Sequence, residues 1–383
     1  MTHSVLFYVQ HLLGIGHLRR AEILAQAMAD DGLAVTVAYG GRPFPEVPFR
    51  GVRVVALPPA AIAGEDFSTL IDERDEPADE AWRGRRRDAL MTLHRDVDPD
   101  VLLIELFPFG RRQFAFELVP LLEAVRASSR RAQVACSVRD VLVASKRPGR
   151  EAEIVARICR FFDAVLVHGD PGLIPFEATF RAADQIADLI RYTGYVAAGT
   201  VAGSDSLEGK GEVLVSAGGG AVGAPLLQAA VAARPLTSLA DHVWRFLTGP
   251  NLPASEFEQL ARLADPTTIV ERFRPDFARR LGIAALSVSQ AGYNTTMDIL
   301  ATSTPAVVVP YETGGETEQR LRADILASKR MLAVVPEADL SPGRLAAAIA
   351  HGLHLPPRVA AIDLSGATAT ARCVHELATR RVR

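Results

Sequence analysis

Residues Ser287 to Ala323 read SVSQAGYNTTMDILATSTPAVVVPYETGGETEQRLRA, and this stretch decides the fold. The apolar run Ile283 to Val288 leads into it and reads as a short buried strand. Gln290, Ala291 and Gly292 turn the chain, and Asn294 or Thr295 is expected to cap a helix carrying Met297, Ile299 and Leu300. Pro305 stops that helix, Ala306 to Val309 is a second strand, and the loop Glu312 to Thr317 leads to a helix beginning near Glu318. Two parallel strands joined by a helix put both loops at one edge of a sheet, where open α/β sheets hold ligands. Asp298, Glu318 and Gln319 are expected at that edge. An ionised carboxylate accepts without donating, which suits a pair of sugar hydroxyls. Asp298 is alternatively a complement to the helix dipole, with Glu318 and Gln319 solvated.

The same rhythm runs through the rest of the chain. Val5 to Val9 is a strand, residues 18–31 a helix and Ala34 to Ala38 a strand, a βαβ opening that implies a parallel sheet. Between the first two lies Gly14-Ile15-Gly16-His17. A dinucleotide fingerprint needs a third glycine where Arg19 stands, and an acid after the second strand, where Ala38, Tyr39 and Gly40 stand; a nicotinamide or flavin site is excluded. What remains is a glycine turn presenting His17 at a helix start. The positive helix end lowers its proton affinity, so it is either a neutral imidazole able to take a proton or a ring bonded to backbone. Glu105 follows the strand Val101 to Ile104 and Asp140 follows Gln133 to Val138; both are carboxylates at the ligand edge. Glu105 orients His17 or an acceptor hydroxyl, or pairs with Arg111 or Arg112. Phe107 and Phe109 are candidates to stack on a sugar face.

Residues 58–87 read as a long loop with some helix. Asp96-Val97-Asp98 precedes its strand and is taken as a turn. A helix after Pro175 runs to Ile190, and a last strand, Arg191 to Val196, closes a doubly wound domain over residues 1–196. Residues 197–211 are small, polar and glycine-rich, and read as a linker. The second domain, 212–383, opens with the strand Glu212 to Ser216, followed by Gly218, Gly219 and Gly220 and a helix. Three glycines there let backbone N–H groups approach an anion closely, and no Gly-Lys-Ser/Thr follows, so the turn is not a P-loop.

The 383 residues are enough for two cores, and a net charge of −3 carries no nucleic-acid signature. The arginine clusters at 85–87, 111–112 and 130–131 read as solvated helix faces and ends. Cys136, Cys159 and Cys373 have no paired spacing, so the chain reads as reduced and cytoplasmic, with no zinc site. No signal peptide or membrane-spanning run is apparent; peripheral membrane contact stays open.

Gly292, Thr295, Asp298, Pro305, Ala306, Pro310 and Gln319, with Gly14, Gly16 and His17, give the chain a family resemblance. It resembles the GT-B nucleotide-sugar glycosyltransferases, in particular the family 28-like group containing the peptidoglycan N-acetylglucosaminyl transferase. The resemblance implies an α/β fold of two doubly wound Rossmann-like domains facing a central cleft, with the last helix returning to the first domain. It implies that Gly218, Gly219 and Gly220 contact the donor diphosphate, that Phe273 holds the base, that Asp298 holds the ribose and that the loop of Gln319 holds the donor sugar, with Asn294, Thr295 and Glu318 also in the donor site. Asp298 stands where the group usually carries Glu. Gly14, Gly16 and Arg20 would line the acceptor side. The implied reaction is metal-independent and inverting, without a cofactor. It moves a hexose or N-acetylhexosamine from a nucleotide diphosphate sugar, UDP-linked, to the hydroxyl of a small-molecule, glycan or lipid-linked acceptor. His17 is then the base, with Glu105 or Asp140 orienting or replacing it. A nucleotide-sugar 2-epimerase and a non-catalytic nucleotide-sugar-binding subunit share the architecture.

Overall fold

The structure is a computed structural model and describes residues 2–12, 16–45, 47–63, 69–143, 147–198, 208–219, 222–313, 317–356 and 362–380. Gly14 and Gly220 lie outside the described residues. The chain forms two compact units, Met1–Val196 with Ser365–Arg383, and Ala197–Leu364.

The first unit runs β1 (Ser4–Val9), α1 (Gly16–Asp30), β2 (Ala34–Tyr39), β3 (Arg53–Ala56), β4 (Ala61–Ala63), β5 (Thr69–Ile71), α2 (Glu80–Val97), β6 (Val101–Glu105), α3 (Ala115–Ala127), β7 (Gln133–Arg139), α4 (Arg150–Phe161), β8 (Ala164–His168) and β9 (Ile190–Tyr192). Seven of these strands make one parallel sheet in the order β3-β2-β1-β6-β7-β8-β9. Its central strands are buried on both faces, which is why they read as continuous apolar runs rather than alternating ones. One face is covered by α1 through Leu18, Ala21, Leu24, Ala25 and Met28. Val374 and Leu377 belong to the same core and come from the final helix of the chain. The other face carries Trp82, Leu90, Leu118, Leu122 and Ile158.

The second unit contains β10 (Val213–Ser216), α5 (Ala224–Ala233), β11 (Trp244–Leu247), α6 (Ala254–Ala261), β12 (Thr268–Glu271), α7 (Phe277–Ile283), β13 (Leu286–Ser289), α8 (Tyr293–Thr302), β14 (Ala306–Val308), α9 (Glu318–Ser328), β15 (Ala333–Val334) and α10 (Pro342–Leu353). Its parallel sheet has the order β12-β11-β10-β13-β14-β15. The final helix, α11 (Gly366–Thr379), groups with the first unit.

Several expectations need correction. The segment after Leu57 holds a two-stranded hairpin, β4 with β5, and the 18-residue α2, begun by an Asp79 side chain that accepts from the amide of Trp82. The cluster at 85–87 is not a solvated face throughout. Arg86 is fully buried, its Nε donating to Glu117 Oε2 at 2.7 Å and its terminal nitrogens to Gln10 Oε1 and the Gly40 carbonyl. Neither Asn294 nor Thr295 caps α8: Gly292 is the cap residue, without a side-chain bond, and the two lie inside the first turn. The helix ends on Ser303 in the left-handed conformation, before Pro305 is reached. Past Pro175 the chain makes 3-10 turns, Phe176–Ala178 and Arg181–Leu189, rather than one α-helix. Phe107 is fully buried and Phe109 packs edge-on against Phe176 and Phe180, so this pair is core rather than a sugar platform.

Both sheets have a topological switch point. In the first it lies between β1 and β6, and in the second between β10 and β13, because the chain leaves these neighbouring strands in opposite directions. Ligands of doubly wound sheets sit outside the carboxyl ends of such strands.

Candidate functional site

At the switch point of the first unit, the loop after β1 ends in Gly16 and His17, the opening residues of α1, and β6 ends in Glu105. His17 Nδ1 lies 2.8 Å from Glu105 Oε1. Arg20, one turn further along α1, donates to the same oxygen. A longer contact, 3.3 Å, separates Arg20 from His17 Nδ1. A guanidinium donates only, so it cannot share a hydrogen with a protonated Nδ1. The shorter contact decides the tautomer: Nδ1–H donates to Glu105 and Nε2 is left as an acceptor.

The electrostatics agree with a neutral ring on an ionised acid. Burial lowers the His17 pKa to about 3; Glu105 pulls it upward and Arg111 pushes it down. Burial opposes ionisation of Glu105, yet His17 and Arg20 outweigh it and hold the carboxyl well below its ordinary range. The Glu105 side chain is wholly buried, whereas the imidazole keeps 16% of its surface exposed. Glu105 therefore holds the ring from its buried side, and the ring keeps an exposed edge.

Asp140, the other carboxylate expected at this edge, sits just past β7. It is fully buried, with Oδ1 accepting from the amide of Val141 at 2.9 Å. His17, Arg20 and Glu105 are brought together, while Asp140 Oδ1 receives the amide that follows it. Behind them His168 is sealed in, Nε2 2.8 Å from Ser137 Oγ and Nδ1 2.9 Å from Thr193 Oγ1. Sequence reasoning raised Arg111 only as a partner for Glu105 and gave Arg139 no role; the charges of both bear on His17. Nothing in the pair Arg111-Arg112 marks which arginine turns inward.

In the second unit, β10 leads through Ala217 into Gly218 and Gly219. Gly218 has φ 71 and its amide donates to Ser216 Oγ. Gly249, φ 81, follows β11, and a Cβ on it would lie 2.1 Å from the Gly218 carbonyl oxygen. Only glycine fits both the backbone angle and the space. Asn251 Nδ2 donates to the Gly219 carbonyl at 2.6 Å. The next strand end along, after β13, brings Gln290 Oε1 to 3.6 Å from where a Cβ on Gly218 would stand. Two loops thus close on one glycine turn.

Asp298 lies on the second turn of α8, 8% exposed, and its Oδ1 accepts from the amide of Ala198 at 3.2 Å. Asn294 and Thr295 are half-buried on the first turn. Glu318 is nearly buried and pairs with Arg322 at 2.9 Å, so it is an anchored acid rather than a solvated one. Arg322, fully buried, also donates to the Ala291 carbonyl and lies over the Tyr293 ring, tying α9 to the start of α8. Its spacing of four from Glu318 was the available signal. Gln319 Oε1 accepts from the amide of Tyr311, closing its loop. Phe273, after β12, is 36% exposed. Among the described residues, no three acidic, histidine or cysteine side chains are grouped to hold a metal, and no helix is long and apolar enough to cross a membrane.

Residues 214–372 match the family described as glycosyltransferase family 28 C-terminal domain. Two curated relatives are UDP-N-acetylglucosamine--N-acetylmuramyl-(pentapeptide) pyrophosphoryl-undecaprenol N-acetylglucosamine transferases. The one from Rhizobium etli is 33% identical over 98 residues, 24% of this chain and 26% of that protein. The one from Mesorhizobium japonicum is 36% identical over 93 residues, 24% and 25% of the two chains. The chain therefore spans about a quarter of the length of these relatives. Solved structures match it throughout. The glycosyltransferase of kitacinnamycin has a TM-score of 0.64 at 16% identity, covering 100% of this chain and 99% of that one. The spinosyn rhamnosyltransferase SpnG, complexed with thymidine diphosphate, has 0.58 at 17%, covering 99% and 96%. MurG of Acinetobacter baumannii has 0.55 at 12%, covering 100% and 99%. The fold is GT-B, two doubly wound Rossmann-like units in one chain, and its second half resembles family 28, as the sequence motifs imply.

Proposed function

We propose that the protein is an inverting, metal-independent glycosyltransferase. The second unit binds a nucleotide diphosphate sugar, UDP-linked, carrying a hexose or N-acetylhexosamine, and the first unit supplies the base. The observation that carries this reading is the neutral His17 held by Glu105 and Arg20 at the first switch point. In the reaction the acceptor hydroxyl gives its proton to His17 Nε2 and its oxygen attacks the anomeric carbon. The bond from that carbon to the diphosphate breaks, and the nucleoside diphosphate leaves with the electron pair. Negative charge grows on the leaving group, and backbone N–H groups of the turn at Gly218 and Gly219 are the donors best suited to receive it. Glu105 does not take the proton; it stabilises the imidazolium that forms. Asp298 holds the ribose and Phe273 the base. The relatives' names describe a pyrophosphoryl-undecaprenol acceptor, which supports a lipid-linked acceptor here.

The test is a thermal-shift panel of UDP-, GDP- and dTDP-sugars, followed by product analysis with candidate acceptors. Transfer by the best binder, with kcat reduced roughly 10²–10⁴-fold in His17→Ala, supports the reading. Conversion of the nucleotide sugar without any acceptor, or full kcat in His17→Ala, sinks it.

A further inference from the structure

We infer that Asn251 is a positioning residue of the donor seat: it holds the Gly219 carbonyl away from the diphosphate, so that the glycine turn meets the anion with N–H groups. The inference rests on the reading of the second unit as the donor site and assigns a role to a side chain that this reading leaves unused.

The turn after β10 contains Gly218 and Gly219, and glycine backbone rotates with little steric restraint. A peptide group in such a turn can offer a ligand either its N–H or its carbonyl oxygen. To an anion these are opposites, since one donates to it and the other repels it. Something outside the turn must therefore fix the peptide planes. Gly218, φ 71, has its carbonyl oxygen facing Gly249, where a Cβ would lie 2.1 Å from it. The peptide from Gly218 to Gly219 is trans, so its carbonyl and N–H point in opposite directions. The Gly219 N–H is thus aimed away from the loop after β11, and among the described residues it has no partner.

The second carbonyl is fixed by a side chain. Asn251 Nδ2 donates to the Gly219 carbonyl at 2.6 Å. Both carbonyls of the turn are then drawn to one loop, the one that follows β11. That loop is itself fastened by Arg272, after β12. The Gly249 amide donates to the Arg272 carbonyl at 2.9 Å. The Arg272 guanidinium donates to the Leu252 carbonyl at 2.9 Å and the Pro250 carbonyl at 3.4 Å, and lies 4.3 Å over the Phe257 ring. Asn251 stands between two carbonyls held in this way. Its side chain is exposed, and the bond to Gly219 is the one it makes among the described residues. It fills no core, so its removal acts on the turn. Without it the Gly219 carbonyl is free to swing toward the anion side, and the seat loses part of its positive face.

The experiment titrates UDP, GDP and dTDP into the full chain by calorimetry and measures the matching nucleoside by displacement of the tightest of the three. Asn251→Ala is expected to weaken the diphosphate about two- to tenfold, the range of one neutral hydrogen bond, and to leave the nucleoside unchanged. Asn251→Asp keeps the shape, removes the donor and adds a charge that repels carbonyl and anion alike. It should weaken the diphosphate further and again spare the nucleoside. Glu258→Gln, exposed on α6, should change neither. A general loosening of the unit would lower nucleoside and diphosphate together. Equal loss of both, or wild-type diphosphate affinity in Asn251→Asp, overturns the inference; if Asn251→Ala does not fold, Asn251→Asp decides by the same ratio. Absence of diphosphate binding by the wild type overturns the donor reading and the inference with it, whereas binding that both variants retain overturns the inference alone.

Discussion

The Asp298 carboxylate accepts a hydrogen bond from the amide of Ala198 at 3.2 Å, joining the second turn of α8 to the segment that follows Val196. An acid proposed to hold a ribose therefore has a structural partner as well. A carboxylate has about four lone-pair positions, so one amide does not exhaust it.

Asp298→Ala is expected to weaken the nucleotide sugar by about 1.5–3 kcal/mol, the range for hydrogen bonds to a charged group, roughly 10- to 150-fold in Kd. It should also lower hydrogen-exchange protection of the Ala198 amide without any ligand present. Loss of protection with unchanged donor Kd would confine Asp298 to the linker and remove it from the ribose.

The contact of Gly249 with Gly218 makes a second prediction. Alanine at 249 meets the Gly218 carbonyl oxygen and must also adopt φ 81. The strain alone costs about 1–3 kcal/mol. Relief by moving the Gly218 turn would disorganise the N–H groups proposed for the diphosphate. Gly249→Ala should lose both thermal stability and nucleoside diphosphate affinity, measured by calorimetry. Gly343→Ala, where a Cβ meets nothing within 4 Å, is the control and should do neither.

The strands were legible because they are buried on both faces and read as apolar runs between glycine turns; Val5 to Val9 and Val213 to Ser216 show this directly. His17 and Glu105 were legible because each follows a strand at the ligand edge. Their pairing was open, since Arg111 and Arg112 were equally near in sequence, and only packing of α1 against the sheet brings Arg20 onto Glu105. The helix α2 was hidden by its charge: it is mostly polar, and one buried arginine, Arg86, replaces part of an apolar stripe. Arg86 is stable there because Glu117 and Tyr8 receive it, a long-range arrangement that no local pattern displays.

Acid dependence of the reaction separates the His17 assignment from an ordinary surface histidine. An exposed ring loses its base form as pH falls through its ordinary value of 6.5, whereas His17 is lowered to about 3. The profile of kcat/KM, which reports the free enzyme, should be flat across 6.5. A clear acid limb centred near 6.5 would show that the ring is solvated and that Glu105 does not hold it as the structure has it.

Stability should respond to the same burial. His11, His17 and His168 all belong to the first unit; burial is the largest cause in each, lowering His11 to about 4 and the other two to about 3. Between those values and 6.5 the unfolded chain binds protons that the folded unit refuses. Stability is therefore full above 6.5 and falls with falling pH, by up to about 1.4 kcal/mol per pH unit for each such histidine. His168 is the cleanest of the three to test, since it is fully buried between Ser137 and Thr193. Glutamine can bond both hydroxyls without titrating. His168→Gln should lower stability at pH 7.5 through imperfect packing yet flatten its decline toward pH 5.5, as read from urea unfolding of the first unit at both values. A slope identical to wild type would mean that His168 exchanges protons equally in both states, and its sealed hydrogen-bonded position would then have no energetic consequence.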